Sequence, residues 1–551
     1  MNLIKRLSML LFVASIFSFG HSQTVTPWFT SADKSRLLQQ QAVISFSSNA
    51  STANVTVTVD PTTIYQTMDG FGFCLTEGSA EVISSMTLAQ QTALLNELFS
   101  KTSGLGISVL RISIGASDLS SSDYSYNETS GDVSMTNFSL AGSDLNYLIP
   151  VLKTALSINP DIKILATPWS APRWMKTNNS WIGGSLNTAY YAAYAKYFVK
   201  YIDAMKAQGI NIWAITPQNE PENPNNNPSM SMTSTEQVSF INNNLGPSLV
   251  TAGYAGVKII GFDHNCDNAT YPIYVCNNSS YVDGAAFHLY AGAISTMTTV
   301  KNATSKNVYF TEQYTASTGS FSGDFGWHMQ NVVIGSATNW GKTIIEWNLA
   351  NNASIGPYTS GGCTTCLGAI TINSSTAYTR NVSYYIIGQI SKFVKSGATR
   401  IGSTVTGTNL IATAFQNPDG TIAVLAYNSK SSSQTLKVLV GLQSFVAIVP
   451  ANTAATFVWS SISNASPSIT LNQISLSPNP GSSFVKLKQS DLNEKYKSVS
   501  FYSTSGNLAL NQLVPENETE TILNTTSLVP SVYLVRVVAK NHQYYTRFIK
   551  Q

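Results

Sequence analysis

Between residues 66 and 348 the sequence alternates short apolar runs with amphipathic stretches, and this alternation constrains the fold more than any other feature. Each apolar run is nearly continuous, as expected for parallel strands that are buried on both faces. Helical periodicity lies between the runs, for example at 88–99, 145–158, 188–208 and 233–251. Eight strands alternating with helices over slightly more than about 250 residues predict an α/β fold, a (β/α)8 TIM barrel. The predicted strands cover residues 67–73, 107–114, 162–168, 212–217, 258–262, 285–289, 308–311 and 343–347.

Both flanks of the predicted barrel show the alternation typical of strands with one exposed face. It occurs at 43–46 and 55–59 before the barrel, and at 410–415, 421–428, 435–440 and 454–459 after it. We therefore expect an attached β-sandwich formed from both flanks, followed by a small C-terminal all-β domain. The predicted division is a signal peptide at 1–22, an N-terminal sandwich segment at 23–65, the barrel at 66–395, the sandwich at 396–460, a linker at 461–468 and the C-terminal domain at 469–551.

The amino terminus has the layout of a secretory signal peptide. Lys5 and Arg6 precede an apolar run at 7–19, and the small residues Gly20 and Ser22 precede a plausible cleavage before Gln23. No later stretch is long and apolar enough to predict a transmembrane segment, so we expect a secreted or surface-attached protein. A formal net charge of +3 with only 11% charged residues is too small to indicate nucleic-acid binding, and it suits a neutral polyol ligand better.

An oxidising destination permits disulfides among the five cysteines. Cys266 with Cys276 would close a short loop, and Cys363 with Cys366 a tighter one, which leaves Cys74 unpaired. A redox or zinc role for the CTTC sequence at 363–366 is the alternative. However, the chain has no second CxxC sequence, and its five histidines show no ligand spacing. We therefore expect neither a metal nor a cofactor.

Two glutamates lie where a barrel places its active site, at the carboxyl ends of strands. Glu220 follows the fourth predicted strand and Glu312 the seventh. Either alone could be a solvated loop residue or an ion-pair partner. Together they suit glycosidic hydrolysis, in which one carboxyl group is the acid/base and, in a retaining enzyme, a second about 5–5.5 Å away is the nucleophile. Their environments must then push the two pKa values apart, so that one carboxyl stays protonated near neutrality.

Aromatic and polar residues also lie at the predicted strand ends, where rings can cover sugar faces and amides or carboxylates can bind hydroxyl groups. A core role explains any single tryptophan equally well, and Arg111 could orient a carboxylate instead of contacting substrate. The candidate substrate-binding residues are Arg111, Asp118, Trp169, Asn219, His288, Tyr290, Tyr314 and Trp347.

At these residues the sequence resembles glycoside hydrolase family 30, from about residue 67 to residue 459. The resemblance rests on MDGFG at 68–72, LRIS at 110–113, PWSAP at 168–172, QNEP at 218–221 and FTE at 310–312. It implies a barrel with an attached β-sandwich and a retaining mechanism, with Glu220 at the acid/base position and Glu312 at the nucleophile position. The residues that match positions lining the family's terminal sugar site are Asp118, Trp169, Asn219, His288, Tyr290 and Trp347.

Within the family, GFGFCLT at 70–76 and GGCTTCLGAI at 361–370 resemble the branch of β-1,6-glucanases. The resemblance therefore implies a β-1,6-glucan substrate. Animal glucosylceramidases usually have small residues in place of Phe73 and Cys74 and carry an N-terminal disulfide cluster that this chain lacks. β-Glucosidase, glucosylceramidase and β-xylosidase activities are the alternatives within the family, and a non-catalytic glycan-binding surface protein is the alternative from another class.

The C-terminal segment resembles the sorting domain of the bacterial type IX secretion system. The motifs are LSPNP at 476–480, VSFYSTSG at 499–506, VYLVRV at 532–537 and FIK at 548–550. The resemblance implies a Bacteroidota-type source and the type IX secretion machinery as a partner. A small carbohydrate-binding sandwich is the alternative.

Overall fold

The structure is a computed structural model that describes residues 23–48, 52–460, 474–488, 496–503, 507–515, 518, 520–539 and 543–551. The predicted signal peptide and the predicted linker lie outside these ranges. The chain divides into two compact units, Met1–Ser460 and Ser461–Gln551. No helix of the described residues is long and apolar enough to cross a membrane.

In the larger unit, eight parallel strands close into a barrel in which each strand pairs with the next and the eighth pairs with the first. Each predicted strand overlaps one of them, so the predicted barrel is confirmed. The strands are β1 (Gly70–Cys74), β2 (Val109–Ser113), β3 (Lys163–Thr167), β4 (Ile212–Ile215), β5 (Lys258–Cys266), β6 (Val282–Gly292), β7 (Asn307–Glu312) and β8 (Gly341–Asn348).

Helical segments follow the strands, and several contain a π-helical or 3-10 turn. The predicted helix at 145–158, for example, begins with a π-helical turn at Asp144–Leu148 and continues as an α-helix. The α-helices are Glu77–Ser84, Leu88–Phe99, Ile149–Ile158, Tyr191–Ala207, Ser234–Phe240, Gly246–Thr251, Thr270–Asn278, Thr296–Thr304, Phe321–His328, Gly335–Thr338 and Val382–Ser391.

Local capping explains where two of the predicted helices begin. The Thr87 hydroxyl accepts a hydrogen bond from the backbone N–H of Gln90, so the helix Leu88–Phe99 begins directly after it. Thr233 and Glu236 form a capping box, in which each side chain accepts from the backbone N–H of the other.

Both flanks of the barrel sequence contribute strands to one β-structure, as predicted for the β-sandwich, and its strands form a ten-stranded sheet. Its buried face encloses a separate core that contains Phe445, Phe457 and Trp459. Along the sheet the strands are Gln39–Gln40, Thr24–Ser31, Thr453–Ser460, Thr421–Asn428, Leu410–Gln416, Thr399–Thr406, Val55–Thr67, Gln434–Val440 and Gln443–Val449, and Ile44–Ser45 pairs with Thr24–Ser31.

Four of these strands were not expected from the sequence: Thr24–Ser31, Thr399–Thr406, Gln443–Val449 and the two-residue strand Gln39–Gln40. The first contains Pro27, which lacks the N–H that a strand interior requires and so argues against a strand. The second contains Gly402, a residue that weakens strand patterns. Tertiary pairing overrides both signals, because these strands have neighbours on the sheet.

The C-terminal unit is all-β, as predicted, with two small antiparallel sheets around its own apolar core. One sheet contains Ser475–Ser477, Phe484–Lys488 and Glu520–Asn524. The other contains, in spatial order, Leu508–Leu513, Tyr496–Ser503, Ser531–Ala539 and Gln543–Lys550.

The cysteine predictions hold in part. Cys363 and Cys366 are bonded, and Cys74 is free. The expected bond between Cys266 and Cys276 is wrong, since both thiols are free and buried. The residues between them form a strand end, a turn and the start of a helix instead of a closed loop. Each thiol belongs to the apolar core, and burial raises both pKa values to about 12.

Candidate active site

A cavity of about 610 Å³ opens beside the carboxyl ends of the barrel strands. Catalytic residues of such barrels gather at this end. The lining residues are Asp118, Trp169, Glu220, Glu222, Asn223, Asn226, His264, Asn265, Tyr290, Glu312, Tyr314, Trp347, Gly361, Gly362, Cys363 and Cys366.

The alternation of side chains along the strands explains why the layer beneath the cavity is charged. Val109 of β2 and Ala286 of β6 belong to a buried apolar cluster to which seven of the barrel strands contribute. Successive residues of a strand point to opposite faces. The next residues on the same face of these two strands are therefore Arg111 and His288, and neither is exposed to solvent.

Glu312 is the last residue of β7, and its side chain is held by two donors. Arg111 Nη1 forms an ion pair with Oε2. The Tyr290 hydroxyl donates to Oε1 at 2.9 Å. Both carboxylate oxygens are therefore oriented, and the carboxylate faces the cavity with only 6% of the residue exposed.

Glu220 lies five residues beyond the end of β4, at a strained position of the backbone. Its φ of 45° is unusual for a residue with a side chain. The backbone N–H donates to the carbonyl oxygen of Asp263 at 2.9 Å, which fixes this conformation. The Glu220 Oε1 atom lies 3.0 Å from His288 Nδ1, and Asn223 Nδ2 donates to Oε2 at 2.8 Å.

Asp263 lies at the centre of the charged layer and contacts four other side chains. Its carboxylate lies 3.0 Å from Arg111 Nη2 and 3.2 Å from His288 Nε2. The hydroxyls of Thr216 and Thr311 donate to it at 2.8 Å and 2.7 Å. Burial raises the pKa of Asp263, but the Arg111 charge and the His288 hydrogen bond outweigh burial and hold the pKa well below its usual range.

The pKa values of the two glutamates are shifted in opposite directions. The acid/base assignment needs the higher pKa on Glu220, but in the free site it is Glu312 whose pKa is raised. Burial raises the pKa of Glu312, against the charges of His288 and Arg111. Burial also raises that of Glu220, but the hydrogen bond and charge of His288 outweigh it, and the net pKa is lowered. Burial lowers the pKa of His288, yet the surrounding carboxylates raise it to about 10. In the free site His288 is therefore the group that holds a proton.

The three central groups are close enough to share chemistry. A carboxylate oxygen of Glu220, one of Glu312 and a ring nitrogen of His288 all lie within 4.8 Å of one another. A close approach of this kind is what a retaining glycosidase needs, because its two carboxyl groups lie about 5–5.5 Å apart. Within the described ranges the three groups also have the spacing of cation ligands. Both His288 ring nitrogens already face carboxylates, so ion pairing accounts for the arrangement.

Trp169 and Trp347 form an aromatic wall beside the carboxylates. Their ring centroids lie 5.1 Å apart, and the Arg111 guanidinium lies 4.8 Å from the ring of Trp169. The rings of Tyr290 and Tyr314 both line the cavity, and their centroids lie 5.5 Å apart. Flat aromatic surfaces at this position can cover the apolar face of a sugar ring.

The structure brings all ten predicted site residues together, but not all at the cavity surface. Asp118, Trp169, Tyr290, Tyr314 and Trp347 line the cavity together with the two glutamates. The other three lie behind the carboxylates and are at most 4% exposed; they are Arg111, Asn219 and His288. The Asn219 side-chain oxygen accepts from Arg111 Nη2 at 2.6 Å. This placement favours orientation of the carboxylates by Arg111 over contact with a sugar.

Three residues of the site were not predicted from the sequence: Asp263, His264 and Asn223. A signal for Asp263 exists, since it directly follows the predicted fifth strand, as Glu220 follows the fourth. Its carboxylate is brought inward by left-handed backbone conformations at Phe262 and Asp263, both with φ of 69°. The sequence gives no sign of these. Asn223 lies in the Asn-rich segment at 222–228, whose pattern predicts a loop but no contact.

The fold and this site define a barrel glycoside hydrolase with a pair of facing carboxyl groups. Residues 68–394 match the glycosyl hydrolase family 30 TIM-barrel domain, and residues 397–457 match the glycosyl hydrolase family 30 beta sandwich domain. The chain belongs to glycosyl hydrolase family 30. Residues 475–551 match the secretion system C-terminal sorting domain. Both resemblances predicted from the sequence are confirmed.

Known relatives cover most of the chain outside the sorting domain. The chain is 34% identical over 404 residues to endo-1,6-beta-D-glucanase of Neurospora crassa, which covers 70% of this chain and 83% of the relative. It is 36% identical over 405 residues to endo-1,6-beta-D-glucanase neg1 of Aspergillus fumigatus, which covers 68% and 81%. The solved structure of the endo-beta1,6-glucanase BT3312 is 38% identical and superposes with a TM-score of 0.75, covering 79% of this chain and 99% of that one.

Proposed function

We propose that the chain is a retaining endo-β-1,6-glucanase, with Glu220 as general acid/base and Glu312 as nucleophile. The observation that carries this proposal is the facing pair of carboxyl groups, within 4.8 Å, in a chain similar to proteins named as endo-1,6-β-glucanases. The residues that would bind the sugar at the reacting bond are Asp118, Trp169, Tyr290, Tyr314 and Trp347.

The charge of the cavity supports a neutral glycan as substrate. Asp118, Glu220, Glu222 and Glu312 line it, and neither lysine nor arginine does so among the described residues. A glycan with a uronic-acid side group would need a basic partner there, because an unpaired carboxylate next to four acidic groups is unfavourable. An unsubstituted glucan meets no such repulsion.

The reaction would proceed by double displacement. Glu312 would attack the anomeric carbon, forming a glycosyl ester while the bond to the leaving oxygen breaks and Glu220 donates a proton to that oxygen. Glu220, now ionised, would then take a proton from water as the water attacks the same carbon and releases Glu312. Arg111 and Tyr290 hold the Glu312 carboxylate in one orientation, which reduces the entropy lost at the transition state.

The net charge of the buried cluster explains why Glu220 can hold the proton that it must donate. With Arg111 and His288 charged and Asp263, Glu220 and Glu312 ionised, the buried cluster has a net charge of −1. A buried net charge is costly, so one further proton on the cluster is favoured, and it makes the cluster neutral. We infer that substrate binding, which excludes water from Glu220, favours this proton on Glu220. His288 Nδ1 lies 3.0 Å from Glu220 Oε1, so a proton relayed through the imidazole has a short path to Glu220.

The test is hydrolysis of a β-1,6-glucan, a β-1,3-glucan, a xylan and glucosylceramide by the purified protein, with product sizes read by mass spectrometry. We expect cleavage of the β-1,6-glucan alone, into oligosaccharides of several sizes. Glucose as the sole first product would contradict the endo mode, and preferred cleavage of another substrate would contradict the linkage. Binding without cleavage of any of them would favour a non-catalytic glycan-binding protein.

We propose further that residues 1–22 are a cleaved signal peptide and that the sorting domain directs type IX export in a Bacteroidota-type bacterium, to the medium or the cell surface. The match of residues 475–551 to a sorting domain supports this. Without that domain, the glucanase should stay on the periplasmic side of the outer membrane of the native host, where cell fractionation would detect it. Unchanged export of the truncated protein would contradict this proposal.

A further inference from the structure

Residues 359–366, which we call the disulfide loop, form part of the cavity wall. Gly361, Gly362, Cys363 and Cys366 all line the cavity. Cys366 also belongs to a small buried cluster with the two tryptophans of the aromatic wall. The Cys363–Cys366 bond therefore lies beside the groups assigned to sugar binding. Its position differs from that of a disulfide that stabilises the fold far from the active site.

Hydrogen bonds join the disulfide loop to the loops that follow three barrel strands and to the last residue of a fourth. The N–H of Thr359 donates to a residue after β2, and three other contacts reach residues after β4, after β7 and at the end of β8. In order, they are Thr359 N–H to Asp118 O at 3.0 Å, Asn227 Nδ2 to Ser360 O at 2.8 Å, Ser317 N–H to Thr365 O at 2.8 Å and Asn348 Nδ2 to Cys366 O at 3.2 Å.

The disulfide loop contacts the backbone of Asp118, a residue of the cavity wall. Asp118 is only 5% exposed, lines the cavity, and has one carboxylate oxygen, Oδ1, without a hydrogen-bond partner among the described residues. Burial, together with the charges of Glu312 and Glu220, raises the pKa of Asp118 to about 7, and the backbone N–H groups of Asp118 and Cys363 only partly oppose this rise. A buried oxygen without a partner beside a sugar-sized cavity is available to accept a hydroxyl hydrogen bond from a ligand.

Backbone packing at Gly362 shows how closely the loop holds Asp118. A Cβ atom added at Gly362 would lie 2.2 Å from the Asp118 carbonyl oxygen, which real structures do not allow. The Gly362 and Asp118 backbones thus approach each other as closely as a side-chain-free residue permits. Thr364, between the two cysteines, is by contrast exposed.

We propose that the Cys363–Cys366 disulfide is a positioning element for substrate binding: by closing the loop, it holds the backbone of residues 359–363 against Asp118 and so keeps the Asp118 carboxylate where Oδ1 accepts a hydroxyl of the bound sugar. This inference rests on the proposed glucanase function. Cys363 and Cys366 need not touch the reacting atoms, and they act through Asp118.

The test compares the oxidised and reduced forms of wild type and Asp118→Asn on a β-1,6-glucan and on an activated aryl β-gentiobioside. A phosphine converts the S–S bond to two thiols and is itself oxidised to the phosphine oxide with oxygen from water. We expect reduction to lower kcat/KM of wild type about tenfold, since a positioned hydrogen bond contributes on that order. In Asp118→Asn, reduction should change kcat/KM less than twofold, because the group that the disulfide positions has already been altered.

Three further variants are compared in the same assay. Cys363→Ser with Cys366→Ser should match reduced wild type and be insensitive to the phosphine, whereas the control Thr364→Ala should behave as wild type in both states. Gly362→Ala leaves the sulfurs unchanged and should also lower kcat/KM. In a protein that already carries Asp118→Asn, adding Gly362→Ala should lower kcat/KM little further. Air reoxidation of wild type should restore activity.

Three results would overturn the inference: no effect of reduction on wild type, an equal effect on wild type and Asp118→Asn, or loss of the near-ultraviolet circular dichroism spectrum on reduction. The last would mean that the disulfide holds the fold instead of Asp118. Failure of the proposed function is distinguishable, because oxidised wild type would then cleave neither substrate.

Discussion

The Nδ1 atom of His288 lies 3.0 Å from the Oε1 atom of Glu220, and the imidazole is fully buried. The opposite ring nitrogen faces Asp263 at 3.2 Å. An imidazole between two carboxylates holds its proton far above neutrality, and the pKa of His288 is raised to about 10. The His288 proton thus links the stability of the barrel to the protonation of its active site.

Stability should fall as the pH rises from about 6.5 to about 10. A histidine whose folded pKa is raised stabilises the fold fully below its unfolded pKa of 6.5, and that contribution is lost as the pH rises through the folded pKa of about 10. The limiting slope is about 1.4 kcal/mol per pH unit. His288→Gln lacks this contribution, so the difference in unfolding free energy between wild type and variant, measured by chemical denaturation, should shrink over this range. Parallel curves would contradict the raised pKa.

Arg111→Met should destabilise the protein strongly. The substitution leaves Glu312 and Asp263 buried without their cation, and removal of one member of a buried ion pair costs about 3–5 kcal/mol. Lys101→Met is the matched control, because the Lys101–Asp161 pair is largely exposed and such pairs contribute about 1 kcal/mol or less. Urea denaturation would measure both, and equal effects of the two variants would rule out a structural role for the buried pair.

Glu220→Ala should lose about 10²–10⁴-fold in turnover of a glucan, which needs a proton on its leaving group. An aryl glycoside with an acidic leaving group needs no such proton, so its first step should survive while the second becomes limiting. Azide should then restore turnover and yield a β-glycosyl azide, because the anion attacks without a general base. Absence of the azide product would argue against Glu220 as the acid/base.

Tyr290→Phe should shift the acidic limb of the kcat/KM profile to higher pH. The Tyr290 hydroxyl donates to Glu312 Oε1 at 2.9 Å, and a hydrogen bond to the ionised form lowers a carboxyl pKa. Without it the pKa of Glu312 rises, and the nucleophile becomes ionised only at higher pH. A limb that stays in place would mean that another group sets it.

Much of the fold and the two central glutamates could be predicted, because both depend on patterns that are local in sequence. The barrel strands carry continuous apolar runs, and the sequence places Glu220 and Glu312 close to the carboxyl ends of two of them. Strand Thr24–Ser31 depends instead on pairing with Thr453–Ser460, more than 400 residues away in the chain, and its own sequence contains a proline.

The electrostatics of the site could not be predicted, because they depend on contacts between strands that are distant in sequence. The sequence suggests that two carboxyl groups have separated pKa values, but the order of those values is set by His288, which faces both Glu220 and Glu312. Asp263 reaches the same layer only through a strained backbone. The Cys266–Cys276 expectation fails for a similar reason, since spacing alone does not place two sulfurs in contact.

Double displacement through an ester on Glu312 is tested most directly by trapping that ester. A 2-deoxy-2-fluoro-β-glucosyl or β-gentiobiosyl fluoride slows release of the sugar, so the intermediate accumulates and can be digested and sequenced by mass spectrometry. We predict one added glycosyl group on the peptide that contains Glu312, and none in Glu312→Gln. An adduct on another residue, or inactivation without any adduct while glucan is still cleaved, would contradict the assignment.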